Sequence, residues 1–577
     1  MKRVLLTLCL LALCACTATQ PTEPQPAPTK TQPEAATKAQ VTTSTTGMVA
    51  SNSDVASRIG ADVLRQGGNA VDAAIATQFA LAVTWPEAGN IGGGGFMLVA
   101  PPHKEVVCID YRETAPLDAT TDMYTFGENR HHHRHAGVPG TVAGMEQAHH
   151  KFGSLEWADL VTPAVELARN GFTVDEHLAG SLNSVLKKEK TQTADNLAEL
   201  RRVYGKPDGT DWQAGDRLQL PDLANTLETI AHQGSKGFYQ GKVAQAIADD
   251  MKAQGGIITT TDLAGYEART RKAIHTTYLG HDVYGAPPPS SGGVTITLML
   301  NMLERYDLVA DERYSVRTLH LMTEAMKRAF SERAKHLGDT DFVEVPLAEL
   351  TTKAYARSLA QSINPDKTTP SEELAPPIQL ADESPSTTHF SVIDEQGMAV
   401  ANTTTLEQAW GSRIITPGLG FVYNNEMGDF NWKPGHTDRK GRIGTPANII
   451  EPGKRMLSSM SPTIVRQHGK AILVTGSPGG RTIINTVLGI LVSTLDYNQP
   501  LAQTIDEPRI HHGWFPDELV VEPGIAESTL QDLRGLGHAV RVRTGPQGAA
   551  HSIRIDPKTG TRTGVADHRR GGTAAAP

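Results

Sequence analysis

Cysteine is scarce in this 577-residue chain: there are four, and Cys9, Cys14 and Cys16 all fall in the first sixteen positions. Cys108 is left alone in the body, so no disulfide framework can form there. Its setting, the apolar strand-like EVVCID, reads as core and chemically inert. A long basic block is also missing. The 54 Lys and Arg are spread in small clusters against 63 Asp and Glu, for a net charge of −9, which excludes a nucleic-acid footprint. The glycine-rich stretches lack the spacing of a dinucleotide fingerprint, and no Lys follows the glycines of TGSPGG, which disfavours a phosphate loop.

The N-terminal apolar run, Val4 to about Cys14, is too short to span a bilayer comfortably. Behind Lys2 and Arg3 it reads as a secretory signal over residues 1–16. The ending LCAC, with small Ala15 before Cys16, resembles a bacterial lipobox, so Cys16 is a candidate for lipidation and the chain is expected to be exported to the periplasm or cell envelope. A simple secreted protein with a disordered start is the alternative. Residues 17–46, rich in Pro and Thr, read as an extended tether.

What is present suits a large layered protein. The length exceeds one simple core, and 39% hydrophobic with 20% charged residues is ordinary for a folded chain. Helical patterns cover Ser53 to Arg65 and Asn69 to Val83, split by Gly67 and Gly68, and the turn Gly92 to Gly95 feeds the strand FMLVA. Four glycines in a row allow close backbone approach. The region 136–384 reads as largely helical, with the loop GAPPPSSGG. From Thr388 strands dominate: HFSVIDEQGMAVANTTTL, GFVYNNE and TIVRQHGKAILVTGSPGG, followed by an apolar helix near Thr482 to Tyr497. This order predicts α+β layers. The run HHHRH at 131–135 reads as a solvated loop, because neighbours in an extended strand face opposite sides and no carboxylate or thiolate spacing completes a metal site.

The loose stretch ESPS runs directly into TTHFSV, either a loop-to-strand junction or a place where the chain is cut. A three-residue turn Glu395-Gln396-Gly397 would pair Asp394 with Met398. Continued without interruption, that ladder sets Thr387 across from Thr405. A threonine at a new chain start has an α-amino group, with an ordinary pKa of about 7.7 to 8.0, that can accept its own hydroxyl proton. The strand, glycine loop and helix start of AILVTGSPGGRTIINT supply unpaired amides suited to a developing oxyanion.

GGNAVDAAIA, NIGGGGF, IDYRETAP, GVPGTVAG, APPPSSGG, STTHFSV, NNEMGDF, MLSSMSPT and TGSPGG occur in order from about Met48 to the end. This set resembles the γ-glutamyltransferase family of N-terminal-nucleophile hydrolases. The resemblance implies a four-layer αββα sandwich and self-cleavage of the Ser386-Thr387 bond. A large subunit 47–386 and a small subunit 387–577 would then stay associated as a heterodimer. It implies Thr387 as nucleophile with Thr405 beside it, and Gly479 and Gly480 as oxyanion donors. Arg112, helped by Ser458 and Ser459, would grip an α-carboxylate, while Glu407, Glu426 and Asp429 would face an α-ammonium. Some relatives have Asn and Gln where this chain has Glu407 and Glu426. A lid is implied over Phe430 to about Lys454, with Trp432 as a candidate cover residue, although the tyrosine common in relatives' lids is absent here. Expected substrates are glutathione and other γ-glutamyl compounds, with water, amino acids or dipeptides as acceptors, and no cofactor or metal is required. Two alternatives stand: a glutaryl or β-lactam side-chain acylase on the same scaffold, and an uncleaved, non-catalytic envelope lipoprotein.

Overall fold

The computed structural model describes residues 39–125, 127–187, 197–374, 386–432 and 445–577. The expected signal, most of the expected tether and the middle of the expected lid lie outside the described residues. Two seven-stranded antiparallel sheets face each other. The first runs Thr573–Ala575, Met48–Ser51, Ser386–Ile393, Ala399–Glu407, Gly94–Ala100, Val107–Asp110, Arg269–Lys272. The second runs Gln40–Ser44, Arg562–Ala566, Ser552–Ile555, Lys470–Thr475, Thr463–Gln467, His281–Gly285, Ile274–Tyr278. Each sheet mixes strands from both sides of position 387.

Side chains alternate along a strand, and each alternate set has its own core. Phe96 and Leu98 point with Met48, Ile464, Val474 and Ile553 into the layer between the sheets. Met97 and Val99 point the other way, against helix Ala70–Thr84 and the helices outside it. On the far side, helices Gly292–Leu303, Val316–His336 and Thr482–Leu495 cover Val283, Val465 and Leu473. The result is the expected α+β sandwich of four layers, αββα. Because both faces of each sheet are covered, central strands such as Ala399–Glu407 are buried at every residue.

The first helix is Asp54–Arg65, capped by Ser53, and the second Ala70–Thr84, with Asn69 and Asp72 forming a capping box. Cys108 is a free thiol in the core, and burial raises its pKa well above the ordinary value. Other expectations need correction. Part of the stretch assigned to the tether is a strand, since Gln40–Ser44 pairs with Arg562–Ala566. The alternating Thr and Ser pattern there is a strand whose partner lies more than five hundred residues away. GFVYNNE is a loop ending in the turn Glu426–Asp429. Its amides bond outward, Tyr423 to Ile414, Asn424 to Gly92 and Asn425 to Leu406, so it needs no ladder. The middle region contains three strands over 269–285 that helical periodicity concealed. The segment 131–135 is a half-buried turn. His135 is buried and stacks on Tyr124 at 4.4 Å, and burial, then nearby Arg134, pushes its pKa down to about 3.

Candidate active site

The hairpin comes first, because it sets the register. Asp394 N–H donates to the Met398 carbonyl, Gly397 takes φ +89°, and the ladder runs unbroken from Ile393 opposite Ala399 to Thr387 opposite Thr405. There the register shifts: Ser386 pairs with Glu407, so Leu406 of the opposite strand is the extra, bulged residue across from the Ser386-Thr387 bond. Glu407 carries the strain at φ +76°, left-handed backbone that a glutamate adopts reluctantly. The Oγ1 atoms of Thr387 and Thr405 are 3.4 Å apart, longer than a well-formed hydroxyl pair. Thr405 is fixed at both ends, since Asn90 Nδ2 donates to its carbonyl at 2.9 Å and Glu407 N–H donates to its hydroxyl at 2.9 Å. Gly93 lies against the same carbonyl, where a Cβ would collide with it, which accounts for one of the four glycines.

Nine of the ten candidate residues line one pocket. Gly479 is the exception and lines the neighbouring cavity, while Gly480, the next residue, faces Thr387. The two glycines occupy the turn between strand Lys470–Thr475 and helix Thr482–Leu495, at φ +134° and +57°. Their carbonyls accept the Thr482 and Ile483 amides, so the turn is the first part of the helix entrance.

Arg112 follows strand Val107–Asp110 and is fully buried. Its Nη1 lies 2.7 Å from Glu426 and 3.3 Å from Glu113, and its Nη2 lies 2.6 Å from Asp429. Burial alone would loosen the Arg112 proton, but Glu426, Glu113 and Asp429 outweigh it and hold the guanidinium charged. Among the described residues the carboxylates are in excess. Burial pushes Glu407 up to about 8, against the pull of Arg130, and Asp429 adds to the rise. Burial also raises Glu426 well above its ordinary range, opposed by Arg112 and reinforced by Glu113, Asp429 and Glu407. Glu407 Oε2 and Glu426 Oε1 are buried without a hydrogen-bond partner among the described residues. Among the described residues the site is therefore short of positive charge. With these pairs closed on one another, the pocket keeps about 20 Å³ of room for solvent, roughly one water.

Three contributors escaped sequence reasoning. Arg130 Nη1 holds Glu407 at 2.6 Å, and its guanidinium sits 5.0 Å over the Trp432 ring. Glu113 is the residue after Arg112 and stood inside the quoted motif. Arg333, on helix Val316–His336, donates to Ser459 at 3.1 Å and to Ser291 at 2.8 Å, tying the APPPSSGG loop to Ser458 and Ser459. No local spacing signals the two arginines, because Glu407 lies 277 residues from Arg130, and Ser291 and Ser459 lie 42 and 126 residues from Arg333. The lid expectation is described only at its ends: Phe430 and Lys454 are buried, and Trp432 packs against Tyr124 and His135. Among the described residues the one group of three metal-type ligands is His320, Glu324 and His538. There Glu324 is already bound by Arg328 and Thr368.

The γ-glutamyltranspeptidase family model matches residues 56–577. The chain belongs to the γ-glutamyltranspeptidase family. It is 44% identical over 530 residues to a glutathione hydrolase proenzyme of Escherichia coli (strain K12), covering 91% of this chain and 90% of that one. Among solved structures, the γ-glutamyltranspeptidase of Helicobacter pylori is 41% identical with a TM-score of 0.54, over 56% of this chain and 93% of that one. A cephalosporin acylase from Bacillus halodurans superimposes with a TM-score of 0.84 at 26% identity, over 95% of this chain and 98% of that one. The scaffold is thus shared by proteins named for different activities, and the choice between them falls to the pocket.

Proposed function

We propose that the protein is a self-processing γ-glutamyltransferase and glutathione hydrolase. One observation carries the reading: a pair of facing threonines opens onto a pocket in which a buried arginine is balanced by Glu426 and Asp429. In the precursor the Thr387 hydroxyl attacks the Ser386 carbonyl, the acyl group moves from nitrogen to oxygen, and water opens the ester. The register of the ladder shifts at that bond, with Leu406 of the opposite strand left unpaired across from it. The new α-amine then takes the Thr387 hydroxyl proton as Oγ1 attacks the γ-amide of the donor. The Gly480 amide steadies the oxyanion. The leaving amine departs with the proton, and water or an acceptor amine attacks the γ-glutamyl ester. Because each sheet draws strands from both sides of 387, the two products of cleavage stay together as a heterodimer. Export, and lipid attachment at Cys16, form part of the same proposal and rest on the leader sequence.

The charges explain the donor. A γ-glutamyl head carries one carboxylate and one ammonium, and it enters by exchange: its carboxylate takes the Arg112 fork, with Ser458 and Ser459 beside it, and its ammonium takes the carboxylates that Arg112 gives up. A glutaryl group has no ammonium and would leave Glu426 and Asp429 uncompensated once its carboxylate takes Arg112, which argues against the acylase reading. Hydrolysis of a γ-glutamyl anilide is therefore expected to exceed that of a glutaryl anilide by at least a hundredfold, about 3 kcal/mol in the barrier. Equal rates would overturn the assignment of donor.

Two further results are expected. Thr405→Ala should slow both processing and turnover by about tenfold, the scale of one neutral hydrogen bond. Time courses on denaturing gels and initial rates measure this, and wild-type values for both would remove Thr405 from the mechanism. The second concerns protons. Glu407, raised from 4.5 to about 8, holds a proton at pH 7 in the folded protein and lacks it when unfolded. Its contribution to stability is full below pH 4.5, falls as pH rises, and levels off above about 8. An arriving ammonium favours the ionised carboxyl, so binding of glutamate at pH 7 should release a proton. Calorimetry in two buffers of different ionisation enthalpy reads that release. It should shrink in Glu407→Gln, and an unchanged value would mean that Glu407 does not face the ligand's ammonium.

A further inference from the structure

Behind the turn that presents Gly480 to Thr387 lies a second, larger basin of about 440 Å³. Arg481, Arg541, Arg543 and Arg570 line it, with the His511 ring, and none of its lining residues is a carboxylate. Acids outside the basin meet part of this charge. Glu518 binds Arg541 at 2.7 Å from the basin's edge. Glu522 is held by Arg569 at 2.7 Å and by the Arg509 and Gln547 amides. In a chain of net charge −9, this is a local reversal of sign. The cations are also positioned. Arg543 Nε donates to the Gly545 carbonyl at 2.6 Å, and Arg481 Nη1 reaches the Gly513 carbonyl at 3.5 Å. Burial, and then Arg481, His512, Arg543 and Arg541, keep the His511 ring neutral. Asn485 Nδ2 lies 2.7 Å from its Nδ1, which puts the ring proton on Nε2 as a donor.

We propose that this basin binds a multiply charged anion through phosphate or carboxylate groups, at a site separate from the Thr387 pocket. Guanidinium forks match both groups bidentately, and several fixed cations around one cavity favour a ligand with two or more charges over a monovalent ion. The basin also exceeds what orthophosphate needs, which favours a ligand of pyrophosphate or citrate size. Gly479 and Thr482 form part of its wall, and Gly480 and Ile483 part of the Thr387 pocket, so one turn separates the two sites. An anion seated here would stiffen the turn that carries the oxyanion donor. The inference stands whether or not the γ-glutamyl reading holds, since binding and thermal stability test it without turnover.

The experiment titrates processed protein with pyrophosphate and, separately, citrate by calorimetry, against sodium chloride at matched ionic strength, and follows the melting midpoint. Saturable binding near one equivalent is expected, with a rise in midpoint beyond that of salt. Binding of pyrophosphate alone would identify a phosphate ligand, and of citrate alone a carboxylate one. Arg543→Gln combined with Arg570→Gln should weaken binding by about tenfold or more for each guanidinium lost. Arg541→Gln, at an exposed position, serves if the double variant melts early. Binding that tracks ionic strength only, or equal affinity in wild type and in whichever variant is folded, would overturn the proposal.

Discussion

Thr387→Ala is expected to leave a single uncut chain and to lower turnover on the order of a millionfold, the scale seen when a covalent nucleophile is removed. Both losses have one origin. The hydroxyl that opens the Ser386-Thr387 bond is the hydroxyl that later attacks the substrate, and the α-amine that activates it exists only after cleavage. Folding should be nearly untouched, because an alanine keeps the ladder position opposite Thr405. Thr387→Ser keeps the hydroxyl and should still process, more slowly, since it lacks the methyl that restricts the side-chain rotamer. Denaturing gels, N-terminal sequencing of the smaller fragment and γ-glutamyl anilide assays measure the three effects. A cut, active alanine variant would end the proposal, and so would active wild-type protein without a fragment beginning Thr-Thr-His-Phe. A single full-length band in inactive wild-type protein would instead favour the uncleaved lipoprotein.

Arg112 should give the next largest effect, and Arg112→Lys is the discriminating variant. Lysine keeps the charge but loses the planar fork, so it cannot serve Glu426 and Asp429 together, let alone release them to a substrate carboxylate. The Michaelis constant for the γ-glutamyl anilide is expected to rise a hundredfold or more while processing continues. Arg112→Gln goes further. It leaves Glu113, Glu426 and Asp429 without their shared cation, and breaking a buried pair of this kind costs about 3–5 kcal/mol. The carboxyls should then bind protons, so the variant should regain stability as the pH is lowered. A Michaelis constant for Arg112→Lys within about threefold of wild type would show that the fork does not hold the donor.

The threonine pair was legible because hairpin register is local arithmetic: a turn with Gly397 in the left-handed region fixes every pair back to Thr387. The caps Ser53 and Asn69 were legible for the same reason, since a side chain bonds an amide two or three residues on. Arg130, Arg333 and Asn90 were not, because each acts on a residue far away in the chain. The run 131–135 misled in the same way. The want of a metal-site spacing suggested a solvated loop, whereas the rings of Tyr124 and Trp432 provide a buried seat for His135.

By itself, the sequence determined the alternation of strands, the turn that aligns Thr387 with Thr405, and the order of motifs that marks the family. Those properties follow from backbone geometry between near neighbours. Only the tertiary structure decided the electrostatics of the pocket: which carboxylates Arg112 balances, how far Glu407 departs from its ordinary ionisation, and that Gly479 and Gly480 face different cavities. Charge interactions in a buried site depend on distance and exclusion of water, and neither exists until remote segments have packed together.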